Sequence, residues 1–130
     1  MAETKYIVIN DSSISRYIIK QTIKKIDPGA QMELFESGGE GLEFIEKNRL
    51  SDQWTILVRA KLPNMSGLDF IEAGKKIDPN FSLCRTILMY PSNGLAPAEE
   101  DELATLQEKH PSVIAYYNQV SVEELSKVLK

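Results

Sequence analysis

The sequence has a single cysteine, no long apolar run and no block of positive charge. One thiol, Cys84, cannot form a disulfide within the chain, and a lone cysteine among apolar residues is more typical of a reducing compartment than of secretion. No apolar segment approaches the roughly 18–20 residues that cross a bilayer, and the N-terminus lacks the apolar core of a signal peptide. Lys and Arg number 15 against 19 Asp and Glu, without the clusters that phosphate binding needs. We therefore expect a cytoplasmic protein that binds neither membrane nor nucleic acid.

The chain of 130 residues, 42% of them apolar, suits one domain with one core. At this length about two-thirds of the unfolded surface can be buried on folding. Short apolar runs alternate with amphipathic stretches from end to end, and no linker or repeat interrupts them. We predict a single domain over residues 1–130, with strands at 6–9, 32–35, 55–58, 86–90 and 113–116.

A helix is predicted after each strand. Ser12 and Ser13 can cap the first helix, whose apolar side is predicted from the helical spacing of Ile14, Tyr17, Ile18 and Ile26. The later helices begin at Gly38-Gly39, at Leu68, at the acidic run 99–102 and at the capping box 121–124. Strict strand–helix alternation with short connections predicts an α/β fold, a parallel sheet with helices on both faces.

The expected topology is the flavodoxin-like, doubly wound five-stranded sheet with strand order 2-1-3-4-5. In this order the switch point lies between the first and third strands, and ligands bind beyond their carboxyl ends. Asn10 and Asp11 follow the first strand, and Arg59 follows the third. We predict that these side chains face each other and form the functional site.

Several short motifs surround this site. Asn10-Asp11 is followed by Ser12, Ser13 and Arg16, and residues 62–67 read Leu-Pro-Asn-Met-Ser-Gly, close to the turn Met-Pro-x-Met-x-Gly. Two further segments fit the same pattern, 39–43 (Gly-x-Gly-Leu-Glu) and 121–125 (Ser-x-Glu-Glu-Leu). On the basis of these motifs, residues 6–130 resemble the CheY-like receiver domains of two-component response regulators. The resemblance implies a module of phosphorelay signal transduction.

The chain departs from the receiver pattern at the positions that carry the chemistry. Receivers hold Mg²⁺ with two adjacent acids after the first strand, where this chain has Asn10 and Asp11. They accept a phosphoryl group on an aspartate that ends the third strand, and this position falls on Arg59. A guanidinium cannot accept a phosphoryl group, and it places positive charge where a divalent cation would lie. The resemblance therefore implies a degenerate form, a pseudo-receiver.

Two more positions of the pattern are altered. The small hydroxyl residue that ends the fourth strand falls on Tyr90, or on Pro91 with a shift of one. The lysine that ends the fifth strand falls on Asn118 or, with the same shift, on Gln119. Neither tyrosine nor proline can replace the small hydroxyl, and neither amide carries the ammonium charge of the lysine.

The substitutions are electrostatically consistent with one another. We expect Asp11 to pair with Arg59, while Asn10 and Asn118 or Gln119 supply neutral hydrogen-bonding groups. The pocket is then neutral without a metal. Asp11 with the Lys61 carbonyl would be a poor remnant of an octahedral site, so we expect Mg²⁺ binding to be lost and no cofactor to replace it.

We therefore expect a protein that is not an enzyme and acts by binding a signalling protein, a histidine kinase or a downstream effector. The family binds partners on the face formed by helix four, strand five and helix five. Tyr116, Tyr117, Glu99 and Glu102 are the predicted partner surface, and Tyr90 is expected near it. The same face could support a homodimer.

Two alternatives stay open. The chain could be phosphorylated at an unorthodox site such as Ser66 or an aspartate outside the pocket, or it could bind a small anion at the switch point through Arg59. Ser66 has no nucleophile–base arrangement with the single histidine, so a hydrolase is not expected. Cys84 is predicted to be a packed, inert thiol.

Overall fold

A five-stranded parallel sheet runs through the chain in the computed structural model, which describes residues 4–90, 97–109 and 113–116. The strands are β1 (Lys5–Ile9), β2 (Gln31–Phe35), β3 (Trp54–Arg59), β4 (Arg85–Met89) and β5 (Val113–Tyr116). Their order is β2-β1-β3-β4-β5, and all four pairings are parallel. The predicted fold class and strand order are confirmed, with the switch point between β1 and β3.

The described helices are α1 (Ser13–Ile26), α2 (Gly38–Lys47), α3 (Gly67–Ile77) and α4 (Pro97–Lys109). Three serines, Ser12, Ser37 and Ser66, cap the first three, and each hydroxyl accepts a hydrogen bond from the backbone N–H three residues on. None of these helices, within the described part of the chain, is long and apolar enough to cross a bilayer. The predicted helix starting at 121–124 lies outside the described residues.

A short 3₁₀ helix, Pro79–Leu83, follows α3 and was not predicted. The segment Asp78-Pro79-Asn80 was interpreted only as the end of α3. In the structure the Asp78 carboxylate accepts a hydrogen bond from the Asn80 N–H, at 3.0 Å, and the proline occupies the first turn, where no N–H donor is needed. The residues that end one helix therefore begin the next.

The sheet is buried on both sides, as continuous apolar strands predict. On one side Ile7, Ile56 and Val58 pack with Phe70 and Phe81. A second cluster covers the opposite side, and it contains Val8, Leu57, Ile87, Ile19 and Ile23. Alternate residues of β1 and β3 point to opposite sides, so both strands are fixed between two layers and their carboxyl ends are held in place.

The buried side of α1 differs from the predicted one. Ile19, Thr22 and Ile23 are fully buried, whereas Ile14 is 72% exposed and Tyr17 64% exposed. The buried stripe follows the spacing i, i+3, i+4 from Ile19, and the first two apolar residues of the helix lie on its other side. The prediction that Ile14 and Tyr17 face the core is wrong, because apolar residues stand on both sides of this helix and the periodicity alone did not select one.

Candidate functional site

Two hydrogen bonds that involve side chains fix the backbone at the end of β1. Asn10 is buried, and its amide oxygen accepts a hydrogen bond from the Ser12 N–H at 2.9 Å. Its backbone carbonyl accepts a hydrogen bond from the Arg16 guanidinium at 2.6 Å. No contact was predicted for Arg16, although a side chain in the first turn of α1 can reach back to the end of β1. Asn10 thus organises the turn into α1 and has no charge to offer a ligand.

The predicted ion pair between Asp11 and Arg59 is present. Arg59 Nη1 lies 2.6 Å from Asp11 Oδ1, across the switch point between β1 and β3. The Arg59 side chain is 42% exposed and that of Asp11 33% exposed, so solvent reaches both. A charge-assisted hydrogen bond of this length joins two segments that are 48 residues apart in sequence.

The loop that follows Arg59 is tightly bonded. The Ala60 N–H donates to the Met89 carbonyl and the Gly67 N–H donates to the Ala60 carbonyl, both at 2.8 Å. Within the loop, Lys61 and Ser66 form an isolated antiparallel bridge. The exposed Lys61 side chain therefore projects from a backbone that its neighbours fix at both ends.

Glycine is required at position 67. A Cβ there would lie 2.6 Å from Leu88 Cδ1 and 2.7 Å from the Arg59 carbonyl oxygen. This contact brings the first residue of α3 against the backbone of Arg59. The last glycine of the motif at 62–67 thus has a packing reason independent of any phosphate chemistry.

Tyr90 follows β4 and is buried, with 4% of its surface exposed. It belongs to the same core cluster as Leu103 and Leu106 of α4. Tyr90 is thus a core residue that shares its cluster with α4, and its predicted nearness to the partner surface stays a prediction.

The remaining predicted site residues are only partly described. Tyr116 ends β5, and Glu99 and Glu102 lie in α4, but the side chains of these three are outside the described part of the structure. Pro91, Tyr117, Asn118 and Gln119 lie outside the described residues altogether. Their proposed roles stay predictions.

The donors at the switch point do not fit a magnesium ion. Mg²⁺ requires near-octahedral oxygen coordination, commonly with carboxylates. One Asp11 oxygen is bound to a guanidinium, and the Asn10 amide oxygen is bound by a backbone N–H. Across the described residues, no three or more His, Cys, Asp or Glu side chains come together as a metal site. A cation here would share Asp11 with Arg59, whose positive charge opposes it.

Ser66, the alternative phosphoacceptor, has a structural role. Its hydroxyl oxygen accepts a hydrogen bond from the Asp69 N–H at 3.0 Å and caps α3. The capping contact explains the serine at this position, and no described contact identifies a general base for it.

Cys84 is a packed thiol, as predicted. It is fully buried, and its thiol donates to the Ser51 carbonyl at 3.2 Å. Burial, with the nearby charge of Asp78 adding to it, raises the pKa of the Cys84 thiol to about 12. The thiol is therefore protonated at neutral pH and is not a nucleophile.

The described fold is that of CheY-like receiver domains. The chemotaxis protein CheY4 of Vibrio cholerae is similar over 98% of this chain and 97% of its own, with a TM-score of 0.77 and 20% identity. A response regulator receiver domain protein from Clostridium thermocellum covers 97% of this chain and 90% of its own, with a TM-score of 0.70 and 24% identity. A CheY-like receiver domain protein from Methanospirillum hungatei JF-1 covers 96% of this chain and 90% of its own, with a TM-score of 0.70 and 19% identity.

No protein-family model matches the sequence, and no curated protein matches it either. The resemblance to receiver domains is confirmed at the level of the fold by the solved structures. The identities in these solved structures are too low to transfer a site, so the function must be argued from the residues themselves.

Proposed function

We propose that this chain is a pseudo-receiver, a signalling module with the receiver fold that accepts no phosphoryl group and acts by binding another protein. The observation that carries the proposal is the ion pair between Asp11 and Arg59 at the ends of β1 and β3. In this proposal the chain has no enzymatic activity, binds no Mg²⁺ and works in the cytoplasm.

The chemistry of Arg59 supports the loss of phosphoryl transfer. A guanidinium stays protonated in proteins, so it has no lone pair available to attack phosphorus. Its charge also repels the divalent cation that a receiver needs beside the acceptor. Asp11, the one acid retained from the pair after β1, already has a cationic partner at 2.6 Å.

A permanent contact can replace a regulated one. Phosphorylation acts by biasing a two-state element, and a side-chain pair within the protein can apply a comparable bias without any covalent change. The Asp11–Arg59 pair joins the β1 end to the β3 end, the same two segments that a metal would join in an intact receiver. In this proposal the module stays in one signalling state.

The proposed partner is a histidine kinase or a downstream effector. The surface predicted from the sequence is that of Tyr116, Tyr117, Glu99 and Glu102, and a homodimer through the same face is the competing assembly. Tyrosine is enriched in the core of protein interfaces, which supports the choice of Tyr116 and Tyr117.

Intact-mass spectrometry after incubation with acetyl phosphate and Mg²⁺ tests the proposal. We expect no gain of phosphoryl mass, while a phosphorylatable receiver treated alongside is modified. The variant Arg59→Asp/Asn10→Asp restores the missing carboxylates, and Arg49→Asp makes a charge change of the same kind at an exposed position outside the pocket. Phosphorylation of the wild-type chain would refute the proposal, whichever residue carries the group.

A further inference from the structure

A cleft of about 400 Å³ lies between α3 and α4, separate from the Asp11–Arg59 site. This α3–α4 cleft is lined by Leu68, Asp69, Glu72, Asp101, Thr105 and Leu106. Its volume is within the range of about 300–1,000 Å³ that is usual for ligand sites in proteins. Leu106 is buried and Leu68 half-buried, whereas the four polar residues are exposed. The cleft thus has an apolar floor and a polar rim.

Helical spacing explains why these side chains share one cleft. On α3, Leu68 and Glu72 are four residues apart and therefore lie on the same side of the helix. On α4, Asp101 and Thr105 have the same spacing, and the Thr105 hydroxyl donates to the Asp101 carbonyl at 3.0 Å. Each helix therefore contributes one leucine and at least one acid to the cleft.

The rim carries three carboxylates and no described cation. Asp69, Glu72 and Asp101 line the cleft, and no Lys, Arg or His is among its described lining residues. The ion pairs between described side chains are Glu43–Lys47 and Asp11–Arg59, and neither involves these acids.

Helix stability explains only one of the three acids. Asp69 lies in the first turn of α3, where a negative charge favours the helix dipole. Glu72 lies beyond the first turn of α3. The helix predicted to start at the acidic run 99–102 starts at Pro97 instead, so Asp101 is its fifth residue and also lies beyond the first turn. Their facing positions across an apolar floor are complementary to a ligand that combines positive charge with apolar surface.

We infer that the α3–α4 cleft binds a lysine- or arginine-bearing amphipathic segment of the partner protein. Aliphatic side chains of that segment contact the leucine floor, and its cations pair with the acidic rim, as in the binding of an amphipathic helix in a groove. This inference rests on the proposed function, a module that acts by binding a protein. It places a contact surface on the side of α4 that faces α3.

A fluorescence-anisotropy titration tests the inference with a defined probe. The probe is a labelled synthetic peptide of leucine and lysine in which leucines recur at helical spacing. We expect it to bind the wild-type chain at low ionic strength. The variant Glu72→Gln/Asp101→Asn removes two rim charges with little change of shape and should weaken binding roughly tenfold. A second peptide with every leucine replaced by serine keeps the charge and should also bind much more weakly, because it loses the floor contacts.

The control variant Glu46→Gln/Glu108→Gln makes the same change of net charge at exposed positions outside the cleft. It should bind the probe as the wild type does. Equal weakening in both variants would show that binding follows net charge and would overturn the inference, as would a probe that does not bind at all.

Two further outcomes would identify a different occupant of the cleft. If spermine displaces the leucine–lysine peptide from the cleft but the serine peptide binds as well as the original, the site is one for small cations and the inference is wrong. If the wild type self-associates on sedimentation and the cleft variant does not, the occupant is a second copy of this chain and the inference is again wrong.

The peptide titration and the phosphorylation test can fail independently of each other. The titration uses unmodified protein without acetyl phosphate or Mg²⁺. A gain of phosphoryl mass would refute the pseudo-receiver proposal and leave the titration unaffected. If the peptide does not bind and the acetyl phosphate experiment shows no gain of mass, the α3–α4 cleft is not the contact surface and the pseudo-receiver proposal stands.

Discussion

The ion pair between Asp11 and Arg59 should show a measurable coupling free energy. The perturbation is a double-mutant cycle with Asp11→Ala, Arg59→Ala and the double variant. In such a cycle each single change removes the pair together with its own side effects, and the double change cancels those effects. The remainder is the interaction between the two side chains, which is the quantity on which the proposed fixed state depends.

The size of this coupling follows from the geometry. Two unit charges about 4 Å apart attract by about 1 kcal/mol in water and about 4 kcal/mol at an effective dielectric constant near 20. The side chains here are 42% and 33% exposed, so the environment is closer to water than to the protein interior. Fixing a long arginine side chain offsets part of the attraction, and exposed pairs typically measure about 0.2–1 kcal/mol. We expect the upper part of that range, because the 2.6 Å contact is a charge-assisted hydrogen bond.

Urea unfolding of the four proteins gives the coupling, provided that the m-values agree across the cycle. Repeating the cycle in about 1 M NaCl should reduce the coupling, since the Debye length falls to about 3 Å. Glu43 and Lys47 supply a matched control cycle, because they form an exposed i,i+4 pair within α2 with side chains 65% and 69% exposed. Their coupling should be smaller, and salt should diminish it more completely.

A coupling indistinguishable from zero at low ionic strength, or one that grows with salt, would contradict a stabilising ion pair. Either result would mean that Arg59 is a solvated surface residue and that the ends of β1 and β3 are held by the backbone alone. A coupling no larger than that of the Glu43–Lys47 pair would also count against a special role for Arg59.

Two further predictions concern buried positions of the fold. Gly67→Ala should destabilise the fold by roughly 1–3 kcal/mol, because the added Cβ would lie 2.7 Å from the Arg59 carbonyl oxygen. Gly39→Ala in α2 places its Cβ where nothing lies within 4 Å, so it should be neutral or stabilising. Urea unfolding measures both variants, and equal effects would contradict the difference in packing. The unfolding free energy should fall as pH rises from 9.0 towards about 12, because the unfolded Cys84 thiol ionises near 9.0 while burial keeps the folded thiol protonated. Cys84→Ala should lose stability less steeply over that range, and parallel curves would show that the thiol does not contribute.

Much of the fold could be predicted because local and global signals agree. The strands β1, β3 and β4 are nearly continuous apolar runs, and Ser12, one of the two predicted capping serines, caps α1. The caps Ser37 and Ser66 were not predicted. Strand–helix alternation then leaves few topologies, and the switch point brings Asp11 opposite Arg59. The predicted ion pair followed from topology and charge, without any knowledge of side-chain conformation.

The features that escaped prediction depend on packing between elements. Ile14 and Tyr17 are apolar yet exposed, because the core selects the opposite side of α1. Tyr90 is buried in a cluster that includes Leu103 and Leu106 of α4, and the sequence around Tyr90 does not show where α4 packs. The α3–α4 cleft is a property of two helices that are separate in sequence, so its acids gave no joint signal. Glu72 and Asp101 become a set only when the helices are placed.

The site and the cleft are joined by a short and stiff connection. The Arg59 carbonyl lies against the glycine that begins α3, and the next residue along, Leu68, is already part of the cleft floor. The intervening loop is bonded to β4 through Ala60 and to itself between Lys61 and Ser66, so a displacement of either end must disturb buried packing. If the Asp11–Arg59 pair holds one arrangement of this connection, as proposed, a ligand in the cleft would meet a surface whose shape is set before it binds.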